Sequence, residues 1–502
     1  MKIDLFGGTD EEFSPIISNQ LSQNWYPHPI KGGSAIAMYP TPGKVLWTSL
    51  LTDASGIASP VRNMIVNRGT FGGFGSPTIN DQWLWVVAGD TAFMLDIAGN
   101  TQWSDSGLET STGEVNMIPA IQGGYDKILL LDGTNYTAGP GGYYIDTYII
   151  STASVLSTFT DADFPATALR GSFLDGYAVV NDGSNLRNFQ LSDIDDITNW
   201  DPLNVALKRT ATGVLRQIER VGSYLVLFGE KTTEFWQNVF NTDFALQRID
   251  TKTVNFGIDA PQSAARMDKS VIWLAASEES KLKIVQSSGN TIQVLSTPGI
   301  EETLSKMSTT NDAKGWFMFF KSHPWYLITF PQEQKTLVYD FITKSWFEFK
   351  SYGREGYNIG SYANYYGKHL ISDEDNNNIY EWDDNTYTDN GDIIKRIRRT
   401  QFVNVDDKKL RYKYLELEFE AGVGNSDEAD PVIMIRMSDV ENDYNWSDTI
   451  YWPIGALGKR STKVRIPGRL LGSSTNRQFE ISISDPVKAV MKKATTNVVF
   501  DP

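Results

Sequence analysis

Two glutamates near position 230 are the first residues whose type and spacing could do chemistry. The stretch "FGEKTTEFW" holds Glu230 and Glu234, and a pair of neighbouring carboxylates is the working part of most glycosidases. In a strand–turn–strand segment the same side chains point to solvent or pair with nearby Lys and Arg. A glycosidase-like, carbohydrate-active enzyme is therefore kept as the alternative function.

A second candidate is a calcium loop in "SDEDNNNIYEWDD". Asp373 and Asp375 begin a D-x-D-x-N spacing, but Asn378 stands where such a loop needs Gly, and Asp384 stands where it needs Glu. These departures favour a solvated hairpin, so we expect neither a metal site nor a cofactor here.

Cysteine and histidine restrict the remaining chemistry. The chain has no Cys and only His28, His323 and His369, which excludes disulfides, Cys-type zinc sites and thiolate catalysis. His28 and His323 each precede a proline and should lie in extended or turn backbone. We interpret all three as ordinary loop histidines and expect no enzymatic activity.

The elements that would position such residues are short hairpins that recur along the chain. The stretch "LVYDFITKSWFEF" has two aromatic-rich runs around a polar turn, and "FMLDIAGNTQW" and "FQLSDIDDITNW" repeat the pattern. The hairpin residues are Asp96, Trp103, Asp193, Trp200, Tyr339, Asp340 and Trp346. The Asp-to-Asp separations of 97 and 147 residues fit two and three units of about 49 residues, within the range of propeller repeats.

This repeat predicts an all-β chain built around a β-propeller of six or seven blades. Strict alternation in "YLELEFE" and "FEISIS" predicts a further antiparallel, β-sandwich-like domain at the C-terminal end. We expect three parts: an extended N-terminal arm with strand pieces at 1–48, the propeller at 49–392 and the C-terminal β domain at 393–502. Both near matches to a sialidase Asp box lack its Gly, which weakens the enzyme alternative.

Charge is distributed unevenly on a chain whose net charge is −16. Such a balance disfavours wrapping of nucleic acid but suits the wall of a channel past which DNA must slide. An acidic run is followed at once by a basic run, either for compensation within the chain or for contact with another subunit. The candidate interface residues are Asp373, Asp375, Asp383, Asp384, Lys395, Arg396, Arg398, Arg399, Lys408, Lys409, Arg411 and Lys413. We expect charge reversal at Arg396, Arg398 and Arg399 to leave the monomer folded.

Several stretches in order resemble one family. The segment from "VGSYLVLFGEKTTEFWQNVF" to "GNTIQVLST", the preceding "LSDIDDITNWDP", the early "NWYPHPIKGGSAIAMYPTPGK" and the late "MSDVENDYNWSDTIYWPIGALGKRSTKVRI" look like the packaged-DNA-stabilization, or tail-nozzle, proteins of short-tailed phages. The resemblance extends from about Gln23 to about Val487.

The resemblance implies a structural subunit of the virion tail, assembled in the host cytoplasm. It implies a homo-oligomer, a hexamer, that forms a nozzle or hub ring below the portal–adaptor. The ring would extend the DNA channel, help to retain packaged DNA, and hold tail fibres or spikes and a plug. DNA would pass without sequence-specific binding, and no apolar run is long enough for a membrane segment. The family supplies no enzymatic residues.

Overall fold

The computed structural model describes residues 2–11, 18–29, 36–50, 59–71, 79–133, 142–147, 156–165, 167–210, 213–277, 281–288, 291–420, 422–426, 428–439, 445–459 and 463–500. Its contacts divide the chain into two compact units. The first unit consists of Met1–Val45, Leu295–Tyr357 and Asp383–Pro502, and the second of Leu46–Val294 and Asn358–Trp382. The predicted boundaries at 48 and 392 stay a prediction; the units follow spatial contacts and are discontinuous in sequence.

The secondary structure is almost entirely β. The strands up to residue 106 are β1 Lys2–Asp4, β2 Asp10–Glu11, β3 Asn19–Gln23, β4 Trp25–Pro29, β5 Ile36–Pro40, β6 Gly43–Ser49, β7 Val61–Phe71, β8 Ile79–Ala88, β9 Thr91–Leu95 and β10 Thr101–Ser106. Those up to residue 248 are β11 Asn116–Gln122, β12 Tyr125–Leu131, β13 Tyr143–Asp146, β14 Ser157–Thr158, β15 Gly171–Leu174, β16 Tyr177–Asn181, β17 Asn188–Asp193, β18 Asp196–Leu207, β19 Leu215–Val221, β20 Tyr224–Gly229, β21 Thr233–Asn238 and β22 Leu246–Arg248.

The remaining described elements include two α-helices. The strands up to residue 383 are β23 Gly257–Ile258, β24 Ala265–Met267, β25 Ser270–Ala276, β26 Leu282–Ser288, β27 Thr291–Val294, β28 Lys314–Phe320, β29 His323–Phe330, β30 Lys335–Asp340, β31 Ser345–Glu348, β32 Tyr362–Tyr365, β33 Lys368–Ser372 and β34 Asn378–Asp383. The last strands are β35 Thr388–Asp389, β36 Asp392–Ile393, β37 Arg396–Arg399, β38 Leu410–Phe419, β39 Val432–Ser438, β40 Ile450–Pro453, β41 Val464–Pro467, β42 Ser473–Ser474, β43 Gln478–Ile483 and β44 Met491–Phe500. The helices are α1 Pro298–Ser305 and α2 Gly468–Leu471, with 3-10 turns at Asp250–Lys252 and Pro261–Ser263.

The second unit is a series of small antiparallel sheets. Strands β7–β10, β11–β14, β15–β18 and β19–β22 form four four-stranded sheets, and β23–β27 form a fifth. The sixth contains β32, β33 and β34; the end of β6 lies beside it, where Ser49 Oγ donates to Asn378 Oδ1 at 2.5 Å. A strand from before the first sheet thus adjoins the last, a common way to close a propeller.

Each sheet buries its faces against its neighbours because four short strands cannot bury both faces alone. The first five sheets share apolar clusters in succession, and β32 and β33 of the sixth share one with β7, β8 and β9 through Tyr365, Leu370, Leu84 and Phe93. The first and last sheets of the unit therefore pack together. The predicted all-β propeller is confirmed, and the described residues of this unit form six sheets.

The first unit is built from two larger sheets. One joins the meander β28–β31 to β3, β37, β43, β39 and β40, and the other orders β4, β5, β44, β38 and β41. The predicted alternation holds in β38, where Leu415, Leu417 and Phe419 are buried in the shared core. In β43 it holds on one face only, because Glu480 on the opposite face is buried as well.

The N-terminal segment is integrated into both sheets of this unit. Strand β3 lies between β31 and β37, where Gln23 is paired with Glu348 and with Ile397. Met38 in β5 pairs with Met491 in β44. This segment therefore completes sheets whose other strands lie hundreds of residues away.

Candidate functional site

The predicted hairpin aspartates organise their turns through hydrogen bonds. Asp96 Oδ1 accepts from the backbone N–H groups of Ala98 and Asn100, both at 2.9 Å, and its Oδ2 accepts from Gln102 Nε2 at 2.8 Å. Partial burial opposes ionisation, but the bonds from Asn100, Ala98 and Gln102 lower the pKa of Asp96 below its usual value. Asp96 thus acts within its turn, as a side chain that replaces missing backbone partners.

The turn between β17 and β18 uses the same device. Asp193 Oδ2 accepts from Asn199 Nδ2 at 2.6 Å. Trp200, buried in the core shared with the preceding sheet, donates its Nε1–H to Ile197 O at 2.8 Å. Trp103 is buried beside Trp85, with ring centroids 6.1 Å apart. These tryptophans fill the space between neighbouring sheets.

The hairpin of β30 and β31 carries the third pair. Tyr339 lies opposite Trp346 across the two strands, with ring centroids 5.1 Å apart. Trp346 is buried and donates its Nε1–H to Leu295 O at 3.0 Å. These contacts assign Trp346 to packing.

Asp340 in this hairpin has partners that the sequence did not reveal. Its buried carboxylate accepts from Ile342 N and Thr343 Oγ1, both at 2.9 Å, and faces His323 Nδ1 at 2.8 Å. The other ring nitrogen of His323, Nε2, lies 2.6 Å from Nδ1 of His28. Two of the three histidines and one aspartate therefore form a continuous hydrogen-bonded chain.

The order of donors in this chain follows from the carboxylate. Asp340 accepts, so His323 donates from Nδ1; when both imidazoles are neutral, His323 Nε2 accepts from His28 Nδ1–H. Burial, and then the neighbouring His323, lower the pKa of His28 below its usual value, although Asp340 acts in the opposite direction. The buried carboxylate of Asp340 fixes the tautomer of His323.

The interpretation of His28, His323 and His369 as loop histidines is wrong, because all three lie in strands, His369 in β33. His28 lies in β4 and His323 begins β29, and their rings pack against Tyr39 and Tyr26 at centroid distances of 4.8 and 5.3 Å. The sequence signal was a shared His-Pro pair, but the pairing of distant strands brings the two rings together.

The structure divides the predicted basic block. Arg398 is buried and donates to the carbonyl oxygens of Leu5, Gly8 and Leu21, at 3.2, 2.9 and 3.3 Å, and to Gln20 Oε1 at 2.5 Å. It thereby fastens the N-terminal segment to β37. A guanidinium in this position is not available at the surface of the folded chain.

Arg396 is also fully buried. Its guanidinium donates to Ile394 O and Tyr387 O, both at 3.4 Å, and burial lowers its pKa to about 10. Arg399 is mostly buried and pairs with Glu480 at 3.1 Å. Charge reversal at these three arginines would place carboxylates among carbonyl oxygens and a glutamate, so the expectation of a folded monomer does not hold.

The rest of the basic block is exposed. Lys395, Lys408, Lys409, Arg411 and Lys413 all lie at the surface. Arg411 and Lys413 share the outward face of β38, whose opposite face packs into the core. An interface formed by these exposed residues stays a prediction.

The acidic residues of the predicted interface also include both buried and exposed side chains. Asp373 is buried and its Oδ1 accepts from Asp375 N at 2.8 Å, which makes this a turn. Asp375 is exposed. Asp383 Oδ2 accepts from Thr386 Oγ1 at 2.8 Å, and Asp384 pairs with Lys321 at 2.6 Å. Among the described residues, no group of three or more His, Cys, Asp or Glu is placed to hold a metal ion.

The carboxylates near position 230 have structural partners. Glu234 is fully buried and accepts from Thr210 N and, at 3.0 Å, from Trp236 Nε1. Glu230 forms a 2.8 Å ion pair with Arg216. These bonds engage both carboxylates, which gives no support to a glycosidase pair.

In the part of the chain that the structure describes, no helix is long and apolar enough to cross a membrane.

The chain matches one family model and, more distantly, many solved structures. No curated protein matches the chain. The N-terminal domain of Nup159 is 9% identical, with a TM-score of 0.39, and the match covers 72% of this chain and 98% of that one. An exo-β-1,3-galactanase from Phanerochaete chrysosporium is 7% identical, with a TM-score of 0.27 and coverage of 91% and 100%. Likenesses this weak do not bear on function.

The family match, unlike these structural likenesses, identifies the family of the chain. The model of the phage stabilisation family, described as bacteriophage P22 Gp10, β-propeller, matches residues 108–387. The match covers more than half of the chain and most of the small sheets of the second unit. The chain therefore belongs to the family of the bacteriophage P22 Gp10 β-propeller, a family of structural phage proteins that stabilise packaged DNA and form the tail nozzle.

Proposed function

We propose that this protein is the subunit of a hexameric nozzle ring below the portal–adaptor of a short-tailed phage. The observation that carries the proposal is the family match over residues 108–387. The ring extends the DNA channel, helps to retain packaged DNA, and provides attachment for fibres or spikes and a plug. The subunit is made in the host cytoplasm and works in the virion tail, without enzymatic activity.

The composition of the chain supports a channel role. A wall that binds phosphate would slow moving DNA, because each Lys or Arg contact contributes to affinity. A net charge of −16 repels phosphate instead and lets DNA slide. Sequence-specific contacts are not needed for this task.

The exposed basic residues support a subunit contact. Ring closure uses two different surfaces that complement each other on successive copies. The outward face of β38 offers Arg411 and Lys413, and an acidic chain has abundant surface to meet it. This face is our candidate for one side of the ring contact.

Electron microscopy of assembled rings tests the proposal. Wild-type protein mixed with portal–adaptor complexes is expected to add a six-fold ring below the adaptor. The variant R411E/K413E should lose the ring and still unfold like the wild type. A matched variant, K231E/K269E, reverses two exposed lysines of the second unit and should assemble normally. Absence of any added density with wild-type protein would refute the nozzle role, whereas normal rings with R411E/K413E would refute only this contact.

A further inference from the structure

A groove lies between the third and fourth sheets of the second unit. One side is formed by the turn between β17 and β18 and by Asn204 in β18, and the other by the segment 241–245 between β21 and β22. Its volume of about 390 Å³ is in the range of small-molecule sites. We call it the inter-sheet groove, and it lies within one compact unit.

Part of the lining of the inter-sheet groove is apolar. Leu191 and Ala245 line it and are buried in the core that the two sheets share. Tyr177 and Phe244 also line it, pack against the same core and stay partly exposed. The two aromatic side chains therefore offer apolar surface to a ligand, and Tyr177 adds a hydroxyl group.

Hydrogen bonds within each side hold the groove in shape without a ligand. On one side, Asp193 Oδ2 accepts from Asn199 Nδ2 at 2.6 Å. On the other, Val239 N donates to Ala245 O at 2.9 Å and closes the segment between β21 and β22. A site formed in advance loses less conformational freedom when a ligand binds.

Several polar groups of the lining have no hydrogen-bond partner in the part of the chain that the structure describes. They are Asp193 Oδ1, Tyr177 Oη, Thr242 Oγ1, Asn241 Nδ2 and the side-chain amide of Asn204. Burial, and then the neighbouring Asp193 carboxylate, raise the pKa of Tyr177 above its usual value. The set contains both hydrogen-bond donors and acceptors.

The charge of the lining restricts the class of ligand. Asp193 and Asp196 are in the lining, and none of its described residues is Lys or Arg. Asp196 Oδ1 is engaged by Gln122 Nε2 and Thr198 N, at 2.6 and 3.0 Å, so Asp193 supplies the accessible carboxylate. This carboxylate repels an anion, and an organic cation would leave the amide and hydroxyl donors of the groove without a partner in the ligand.

A neutral molecule with several hydroxyl groups on a compact ring matches these features. Each hydroxyl both donates and accepts, so one ligand meets the Asp193 acceptor and the donors of Asn204 and Tyr177. The C–H face of its ring packs on the apolar part of the lining. We propose that the inter-sheet groove binds one neutral pyranose sugar unit.

Sugar binding goes beyond the nozzle role and does not depend on it. The groove belongs to a single subunit, and binding breaks no covalent bond. Assembly of rings on portal–adaptor complexes therefore remains a separate test, whose outcome does not bear on the groove.

Saturation-transfer difference NMR on the full chain tests binding directly. The probes are the methyl β-glycosides of glucose, galactose and N-acetylglucosamine and the methyl α-glycoside of mannose. Tetrahydropyran serves as an analogue that keeps the ring and lacks the hydroxyl groups. At least one glycoside is expected to bind with a Kd of about 1 mM. Tetrahydropyran should bind at least about tenfold more weakly, because a site that recognises hydroxyl groups rejects a ligand without them.

Two variants with matched controls assign the binding to this groove. D193N removes the charged acceptor and should weaken binding at least about tenfold, and N204A removes a neutral amide and should weaken it about fivefold. The controls D182N and N185A change an aspartate and an asparagine in the loop between β16 and β17 of the same sheet, outside the lining. They should leave the Kd within about twofold. Circular dichroism and thermal unfolding check that each variant folds.

Four results would each overturn the proposal. The first is that none of the four glycosides binds at concentrations up to about 20 mM. The second is that D193N and N204A bind the glycosides as tightly as D182N and N185A do. The third is that tetrahydropyran binds as tightly as the glycosides, which would make the groove a plain apolar cleft. The fourth is that spermidine binds in place of the glycosides and is lost in D193N, which would assign the groove to organic cations.

Discussion

Removal of the Asp340 carboxylate should cost far more stability than the same change in an exposed hairpin of the same kind. Asp340 is buried and accepts from Ile342 N, Thr343 Oγ1 and His323 Nδ1. In D340A the buried His323 donor loses a charged partner, which costs about 2–3 kcal/mol, and the two turn donors add about 1 kcal/mol each. We expect a total loss of about 4–5 kcal/mol in the local free energy of unfolding.

Asp96 provides the matched control. It organises its turn by similar bonds to Ala98 and Asn100, but those bonds are exposed, so water can replace the missing acceptor. D96A should therefore cost only about 1 kcal/mol.

A third variant separates charge from hydrogen bonding. D340N keeps one oxygen for the turn, and its amide can donate to His323 if that ring changes tautomer and donates from Nε2 to His28. This rearrangement should limit the loss to about 1–2 kcal/mol.

Hydrogen exchange measured by mass spectrometry is the appropriate assay. A chain with two compact units is not expected to unfold in one two-state step, and exchange reports the opening free energy of the segments around β9–β10 and β29–β31 separately. Equal losses for D340A and D96A, within about 0.5 kcal/mol, would refute the argument from burial. A loss for D340N as large as that for D340A would refute the tautomer exchange.

Three further predictions concern single side chains of the first unit. Burial and the neighbouring His323 hold the pKa of His28 below 6.5, so the unfolded chain binds a proton more readily than the folded one. The free energy of unfolding should therefore fall as the pH drops from about 6.5 through the folded pKa. Guanidinium unfolding at several pH values should show this slope for the wild type and a flatter one for H28Q. R398M removes four hydrogen bonds to the N-terminal segment, should cost at least about 3 kcal/mol, and should speed exchange of the β3 amides, with K413M as the exposed control. W346A empties a buried site and should cost about 3–5 kcal/mol in chemical unfolding, whereas W346F should lose mainly the bond to Leu295 O, about 1 kcal/mol.

The chain of His28, His323 and Asp340 shows how a feature can be absent from the sequence pattern and present in the fold. Neighbouring strands in sequence bring His323 close to Asp340, because β29 and β30 are paired and Trp325 lies opposite Asp340. His28 comes from β4, almost 300 residues away along the chain. Only the packing of the N-terminal hairpin against this meander supplies the third member.

The charged block illustrates a related limit. Residues 396–399 form strand β37, in which successive side chains point to opposite faces. The sequence could not show that β3 and β43 pair with the two edges of this strand, or that residues 5–8 lie over Arg398. An arginine normally indicates surface, and here the N-terminal carbonyl oxygens compensate for its burial.

The sequence by itself determined the β class, the hairpins and the propeller. Their signals are local: a turn aspartate, an aromatic a few residues later, and period-two alternation that survives any choice of neighbours. Only the tertiary structure decided that Arg396 and Arg398 are buried and that His28, His323 and Asp340 form one hydrogen-bonded chain. These properties depend on which distant strands lie side by side, and strand pairing between residues hundreds of positions apart leaves no periodic trace in the chain.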